Sequence, residues 1–166
     1  MIPYPGMSEK EEYLKIWERE FQTTLKVLKA FPPKKLDFKP HERSRSAAEL
    51  AWTFVNEESV TESILKGKVE FPDSKPPGSM DAILKTYEKT HKAMVAKVKA
   101  MPDAEMDKPI PFPVAPKKMA EIRRADILWM MMMDAVHHRG QFSVYIRMAG
   151  GKVPSIYGPS ADEPWF

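Results

Sequence analysis

The chain has 166 residues, a normal length for one domain with a buried core, and we expect a single domain over residues 1–166. Its 26 basic and 23 acidic residues are interspersed, so the net charge of +3 favours solubility and does not indicate a nucleic-acid-binding surface. The absence of cysteine excludes disulfides, thiolate zinc sites, iron–sulfur clusters and cysteine nucleophiles, which leaves His, Asp, Glu and hydroxyl groups for any chemistry.

The first predicted helix begins at Ser8, where Ser8 and Glu11 form the S-x-x-E pattern of a capping box, and it ends before Pro32 and Pro33. Apolar residues recur at helical spacing and define its core face: Leu14, Trp17, Phe21, Leu25 and Leu28. The charged residues that fall elsewhere on the helix are Lys15, Glu18, Glu20 and Lys26. We therefore expect an amphipathic helix.

The second predicted helix starts with another capping box, formed by Ser46 and Glu49, and runs to about Gly67. Its inward side carries Leu50, Phe54 and Ile64. Thr53 and Glu57 lie at helical spacing from these apolar residues and therefore point the same way. Polar side chains on an inward face require an explanation.

The third predicted helix runs from about Ser79 to Met101. Its apolar face contains Leu84, Tyr87, Met94, Val95 and Val98, and His91 lies in line with them. A single histidine on an apolar helix face is more often a core residue, hydrogen-bonded to a neighbour such as a tyrosine, than a metal ligand. We predict a structural role for His91.

The connection over residues 102–118 contains five prolines, which predicts an irregular strap across one end of the helices. A fourth helix from about Met119 to Met148 follows and ends at Gly150 and Gly151. We find no alternating strand pattern. The pattern predicts an all-α four-helix bundle with long proline-rich connections and a C-terminal tail packed on the bundle.

The fourth helix is apolar on nearly every side from Ile127 to Val136, so it is either central or part of a subunit interface. Core filling is the expected role of its consecutive methionines Met130, Met131, Met132 and Met133.

Asp134 and His138 are four residues apart, so both side chains project from one face of the fourth helix and suit a single ion. Gln141 and Tyr145 continue this face and are candidates to orient a ligand or contact a substrate. Taken alone, the D-x-x-x-H spacing is more often a surface ion pair or a hydrogen bond within a helix.

The segment DAVHHRGQFSVYIRMAGGKVPSIYGPSADE resembles the fourth-helix signature of the DinB family: a donor residue, HHRGQ, a YLR-like element and a G-x-x-V-P-x-x-Y-G tail. The run SRSAAELAW resembles the second helix of the family, and the resemblance covers almost the whole chain. It implies a DinB/YfiT-like four-helix bundle. In the family a metal is held by a histidine of helix two and by two donors, usually histidines, of helix four. These positions correspond to Thr53, Asp134 and His138.

Threonine is a poor substitute for an imidazole ligand, and three alternatives follow from Thr53. Glu57, one turn further along the same face, restores a three-donor set with Asp134 and His138. In the second alternative, Asp134 and His138 alone hold the ion weakly, and water fills the other coordination positions. In the third the metal is lost, and Asp134 hydrogen-bonds His138 in a degenerate pocket. The pattern favours loss or weak binding over the full three-donor set.

The remaining residues of the signature point to other faces of the helix, and we predict structural roles for His137, Arg139 and Gly140. Arg139 is expected to pair with Asp162 or Glu163 of the tail, and Gly140 to permit close approach of a helix or the tail. The tail VPSIYGPSADEPWF ends in aromatic residues that we expect to pack back across the bundle.

Family members of known activity include mycothiol-dependent isomerases and bacillithiol transferases. The resemblance therefore implies a metal-dependent hydrolase or thiol-dependent transferase with Zn, Ni, Fe or Mn, a small-molecule substrate, a low-molecular-weight thiol and a homodimeric assembly. Gln141, Tyr145 and Glu57 are the catalytic candidates, which would orient the substrate or move protons. The alternative is a metal-free, degenerate bundle that binds a small ligand or a partner in a stress response.

We expect a cytoplasmic protein without membrane or nucleic-acid partners. No stretch approaches the roughly 20 apolar residues that span a bilayer. The N-terminal residues have no apolar run behind a basic start, the pattern that marks a secretory signal.

Overall fold

The computed structural model describes residues 6–166 of the chain. Within this range the helices are α1 (Glu9–Lys29), α2 (Ala47–Leu65), α3 (Met80–Ala100) and α4 (Arg124–Met148). A short 3₁₀ helix (Asp103–Asp107) and two antiparallel strands, β1 (Pro109–Ala115) and β2 (Lys118–Arg123), connect α3 to α4. The predicted four-helix bundle is confirmed, with a small hairpin added.

The helix ends are fixed by the local signals that the sequence carries. The Ser8 hydroxyl accepts from the Glu11 amide at 3.3 Å, and the Glu11 carboxylate accepts from the Ser8 amide at 2.9 Å. Ser46 and Glu49 form the same reciprocal pair at the start of α2. The positive φ of Gly150, +80°, then allows the next amide to reach back into α4 and cap its last turn. Both predicted capping boxes are confirmed.

The connection before α4 is a hairpin rather than an irregular strap. The three prolines of β1 occupy every second position, Pro109, Pro111 and Pro113. Proline has no N–H group, so the amides between them, those of Ile110 and Phe112, are available to β2, and both strands are edges that tolerate proline. The predicted start of the fourth helix at Met119 was therefore wrong, because that residue lies in β2.

The core has two apolar ends separated by a polar layer. One end is built around Leu50, Phe54 and Phe142, and the other around Ile64, Val98 and Leu128. Between these ends every helix contributes buried polar or charged side chains, which are Glu20 of α1, Glu57 and Glu58 of α2, His91 of α3, and His138 and Arg139 of α4. We call this set the middle layer, and it is where the fold places the chemistry-bearing residues.

Two surface features differ from expectation. Met131 and Met132 fill the core as predicted, but Met130 and Met133 are exposed. The tail packs on the bundle through its first half, where Val153 and Ile156 contact the core. Its terminal aromatic residues, Trp165 and Phe166, are exposed, so the prediction that they pack back across the bundle was wrong.

No helix within residues 6–166 has both the length and the apolar character that crossing a lipid bilayer requires.

Candidate metal centre

His91, predicted to be structural, is a core residue of the middle layer. Its Nδ1 lies 2.9 Å from Glu58 Oε1, and its Nε2 lies 3.3 Å from Glu18 Oε2. Its ring stacks on Phe21 with centroids 3.8 Å apart. The partners are carboxylates rather than a tyrosine, and the structural role is confirmed.

Arg139 of the HHRGQ run forms a buried ion pair with Glu20. Arg139 Nη2 lies 2.6 Å from Glu20 Oε2, and Nη1 donates to the Glu20 carbonyl at 3.0 Å and to the Thr24 hydroxyl at 3.2 Å. The Tyr157 hydroxyl donates to the same carboxylate. Burial opposes ionisation of Glu20, but the hydrogen bonds from Tyr157 and Arg139 outweigh it, so the pKa of this carboxyl lies below its ordinary value.

The predicted partners of Arg139 were wrong. Asp162 pairs with Arg147, and Glu163 pairs with Lys26, both at the surface. The role predicted for Gly140 was also wrong, because an added Cβ there would meet no atom within 4 Å. Close approach occurs instead at Gly151, where a Cβ would lie 2.8 Å from the Ile146 side chain.

On the other side of α4, the middle layer brings Glu57, Asp134 and His138 together. His138 Nε2 lies 3.5 Å from Asp134 Oδ2 and 4.0 Å from Glu57 Oε1. One potential ligand atom from each residue lies within 4.8 Å of those of the other two. The predicted pair of α4, Asp134 and His138, thus meets the carboxylate of Glu57 on α2. From the sequence we expected this three-donor arrangement less than loss of the metal or weak binding.

Gln141 fixes the orientation of the His138 ring. Its side-chain Oε1 lies 3.0 Å from His138 Nδ1, and because a carbonyl oxygen only accepts, Nδ1 carries a proton. His138 Nε2 then faces the two carboxylates. A second hydrogen bond, 2.9 Å long, joins the Gln141 amide nitrogen to His137 Nε2 and holds the amide in this orientation. Gln141 therefore prepares the imidazole to act as a ligand.

Glu57 carries an unsatisfied buried oxygen. The residue is 9 % exposed, and Oε1 has no hydrogen-bond partner within residues 6–166. Burial first, and then the charges of Asp134 and Glu58, raise the pKa of Glu57 well above its ordinary value, against a smaller lowering by Arg45. A buried carboxylate without a partner is costly, and a bound cation would remove that cost.

The spacing and the donor types fit a divalent transition metal. Two ligand atoms that each lie about 2.1 Å from a tetrahedral zinc ion are separated by about 3.4 Å. The distances of 3.5 and 4.0 Å from His138 Nε2 to the two carboxylates are close to that value. Zinc, nickel, iron and manganese accept imidazole and carboxylate together.

Thr53 and Tyr145 both engage Arg45, which the sequence did not single out. The Thr53 hydroxyl accepts from Arg45 Nη1 at 2.7 Å and donates to the Glu49 carbonyl at 3.2 Å. The Tyr145 hydroxyl donates to the Arg45 carbonyl at 2.9 Å. Arg45 directly precedes the helix-capping Ser46, and no local pattern indicates where a side chain at such a position points.

A groove of about 600 Å³ opens beside the cluster. Its lining includes Asp134 and His137 of α4, together with apolar residues of α4, β1 and the segment after α2. These apolar residues are Phe71, Phe112, Trp129, Met130, Met131 and Met133. The exposed methionines of α4 therefore line a concave surface next to Asp134.

Comparison with known proteins places the chain in a family. Residues 7–165 match the model of the DinB family. The chain is 27 % identical over 156 residues to the uncharacterized protein YrdA of Bacillus subtilis strain 168. The aligned region covers 92 % of this chain and 90 % of that protein.

Two crystal structures are similar to the fold. A DinB-like protein of Bacillus cereus superposes with a TM-score of 0.76 at 25 % identity, over 87 % of this chain and 95 % of that one. The DinB-like protein YjoA of Bacillus subtilis gives a TM-score of 0.67 at 18 % identity, over 86 % and 96 % of the two chains, and supports the fold alone. Because the family model matches nearly the whole sequence, the chain belongs to the DinB family.

Proposed function

We propose that the protein binds a divalent transition-metal ion through Glu57, Asp134 and His138, and acts as a metal-dependent hydrolase or thiol-dependent transferase on a small molecule. The observation that carries the proposal is the buried Oε1 of Glu57, which has no hydrogen-bond partner within residues 6–166 and faces His138 Nε2 at 4.0 Å. The structural carboxylates at this depth each have a hydrogen-bond partner, Arg139 for Glu20 and His91 for Glu58, whereas Glu57 has none within residues 6–166.

The chain's own residues divide the work of such a site. Glu57 and His138 are buried and supply fixed ligands, whereas Asp134 is half exposed and lies on the wall of the groove. Gln141 retains the Nδ1 proton of His138 and fixes the orientation of the ring. When bound, a divalent ion with an open coordination position lowers the pKa of a water or thiol and supplies a nucleophile at neutral pH.

The groove gives a small substrate a place to bind. A volume of about 600 Å³ lies within the range of small-molecule sites, which extends from about 300 to 1,000 Å³. Aromatic rings and flexible methionine side chains adapt to apolar groups of varied shape. An apolar body in the groove would lie next to Asp134.

The second candidate function is a metal-free bundle that binds a small ligand or a partner in a stress response. Thr53 favours it, because this residue replaces the histidine that the family pattern places on helix two. Its hydroxyl is already engaged by Arg45 and Glu49.

Calorimetric titration of the metal-free protein with Zn²⁺ and with Ni²⁺, together with elemental analysis of the purified protein, distinguishes the two candidates. We expect one ion per chain. The variants His138→Ala and Glu57→Gln should each weaken binding at least a hundredfold, and Gln141→Ala should weaken it about 10- to 100-fold because it releases the imidazole.

The matched control is His41→Ala, which removes an exposed imidazole outside the cluster and should change metal affinity only a few-fold. Absence of binding, or binding that His138→Ala leaves unchanged, would contradict the metal proposal. If a Thr53→His variant then binds metal where the wild type does not, the site is degenerate and the second candidate stands.

A further inference from the structure

Arg45 has no ion-pair partner within residues 6–166, and two other side chains hold it against α2 and α4. Its backbone carbonyl accepts from the buried hydroxyl of Tyr145, and its guanidinium donates to Thr53. Tyr145 belongs to the face of α4 that carries Asp134 and His138, and Thr53 belongs to the face of α2 that carries Glu57. The arginine is therefore positioned from both helices that build the centre.

The guanidinium of Arg45 retains donors for a ligand. It has five N–H groups, and one of its Nη1 protons is used by Thr53. Across residues 6–166, Arg43 and Arg45 are the arginines without a carboxylate at salt-bridge distance, whereas the others are paired with Asp or Glu. The amides at the start of α2 do not compete for an anion, because those of Ser46 and Glu49 are used in the capping box and the next two donate to carbonyl groups of the preceding loop.

The charges of the centre explain what such an arginine would do. In a metal-loaded centre, the two carboxylates of Glu57 and Asp134 would balance the charge of a divalent ion, and a coordinating imidazole adds no charge. An anionic ligand would then meet no net positive charge at the ion. Arg45 lies close to the cluster along α2, because its partner Thr53 precedes Glu57 by four residues and therefore shares a face of the helix with it. With Arg45 included, the site carries one net positive charge.

We propose that Arg45 is the specificity-determining residue of this centre and binds a carboxylate or phosphate group of the substrate beside the group that reaches the metal. Thr53 and Tyr145 are positioning residues that hold Arg45 for this task. The substrate class is thus a small anion. This inference rests on the proposed metal site.

The test compares two thiols on the full chain loaded with Co²⁺, whose charge-transfer absorption reports thiolate binding without any activity assay. The probes are 2-mercaptoethanol and 3-mercaptopropionate, which share a thiol and differ in the added carboxylate. The measured quantity is the ratio of their dissociation constants. Comparing this ratio between variants cancels the intrinsic difference between the two thiols.

We expect Arg45→Gln to lower the preference for 3-mercaptopropionate at least tenfold, with cobalt affinity retained. Arg43→Gln removes a nearby unpaired arginine as the matched control and should leave the preference unchanged. Arg45→Lys should keep part of it. Thr53→Val and Tyr145→Phe should lower it a few-fold, because each releases one of the contacts that hold Arg45.

A preference in Arg45→Gln within twofold of the wild type would overturn the inference while leaving the metal proposal intact. The same holds if Arg45→Gln only strengthens cobalt binding, because Arg45 would then be a counter-ion of the carboxylates. Failure of the wild-type protein to bind cobalt, zinc or nickel would overturn the proposed function and this inference with it.

Discussion

Two buried carboxylates of the middle layer face adjacent residues of α4 and differ in how they are satisfied. Glu20 is 6 % exposed and is paired with Arg139, with a further hydrogen bond from Tyr157. Glu57 is 9 % exposed and faces His138 at 4.0 Å with an unpartnered oxygen. The pKa of Glu20 lies below its ordinary value, and that of Glu57 lies well above it.

The comparison separates stability from function within one layer. Burial is nearly equal at the two positions, so the partners produce the difference. A buried charge with a bidentate or multiple hydrogen-bonded partner is part of the framework. A buried charge without a partner lowers stability and is retained where it serves a ligand. The HHRGQ run thus supplies a structural arginine and a candidate metal ligand at consecutive positions.

The largest expected effect on stability comes from breaking the ion pair between Arg139 and Glu20. Arg139→Met leaves Glu20 buried without its cation, and we expect the free energy of unfolding to fall by about 3–5 kcal/mol. Urea denaturation followed by circular dichroism measures this change. A Glu20→Met/Arg139→Met double variant should recover part of the loss, because no unpaired charge remains.

The control for this prediction is Arg147→Met, which removes an ion pair with Asp162 at the surface and should cost about 1 kcal/mol or less. A loss below about 1 kcal/mol for Arg139→Met as well would show that Tyr157 and exposed neighbours are enough to support Glu20.

The helices were predictable because their signals are local. Capping boxes, terminal prolines and apolar spacing all act within a few residues of the helix ends. The hairpin was missed because prolines at alternate positions were treated as breakers, although edge strands tolerate them.

Only part of the site was predictable, because it depends on contacts between residues that are distant in the sequence. Asp134 and His138 share a helix face, and Glu57 could be placed on the inward side of its own helix. Whether that carboxylate reaches them depends on how α2 packs on α4. The partner of Arg139 lies 119 residues away in the sequence, on a helix face judged from its charges to be outside the core.

The second prediction is that substitution by methionine changes the free energy of unfolding in opposite directions at the two carboxylates. In the presence of a chelator, Glu57→Met should raise the free energy of unfolding by about 1 kcal/mol, since it removes a buried carboxyl group that has no hydrogen-bond partner and replaces it with an apolar side chain of similar size. Glu20→Met should instead lower it by about 3 kcal/mol, because Arg139 loses its partner. Denaturant titration of both variants beside the wild type measures the difference.

Excess Zn²⁺ sharpens this comparison. Metal that binds only the folded wild type at a hundred times its dissociation constant adds about 2.7 kcal/mol of stability, and Glu57→Met should not gain it. The advantage of Glu57→Met should therefore disappear when zinc is added. Equal destabilisation by Glu57→Met and Glu20→Met in chelator would show that Glu57 has a structural partner.

The smallest expected effect is the acid dependence of the paired carboxylate. Because the pKa of Glu20 is lower in the folded protein than its ordinary value of 4.5, the unfolded chain binds the proton more readily. The stability that this pair contributes is fully present above that ordinary value and is lost as the pH falls through the folded pKa. Glu20→Gln cannot titrate, so its unfolding free energy should fall less steeply with acid below about pH 4.5 than that of the wild type. Denaturant titrations from pH 7 downward give both slopes. Parallel slopes would mean that Glu20 titrates alike in both states, and the contrast with Glu57 would then rest on hydrogen bonds alone.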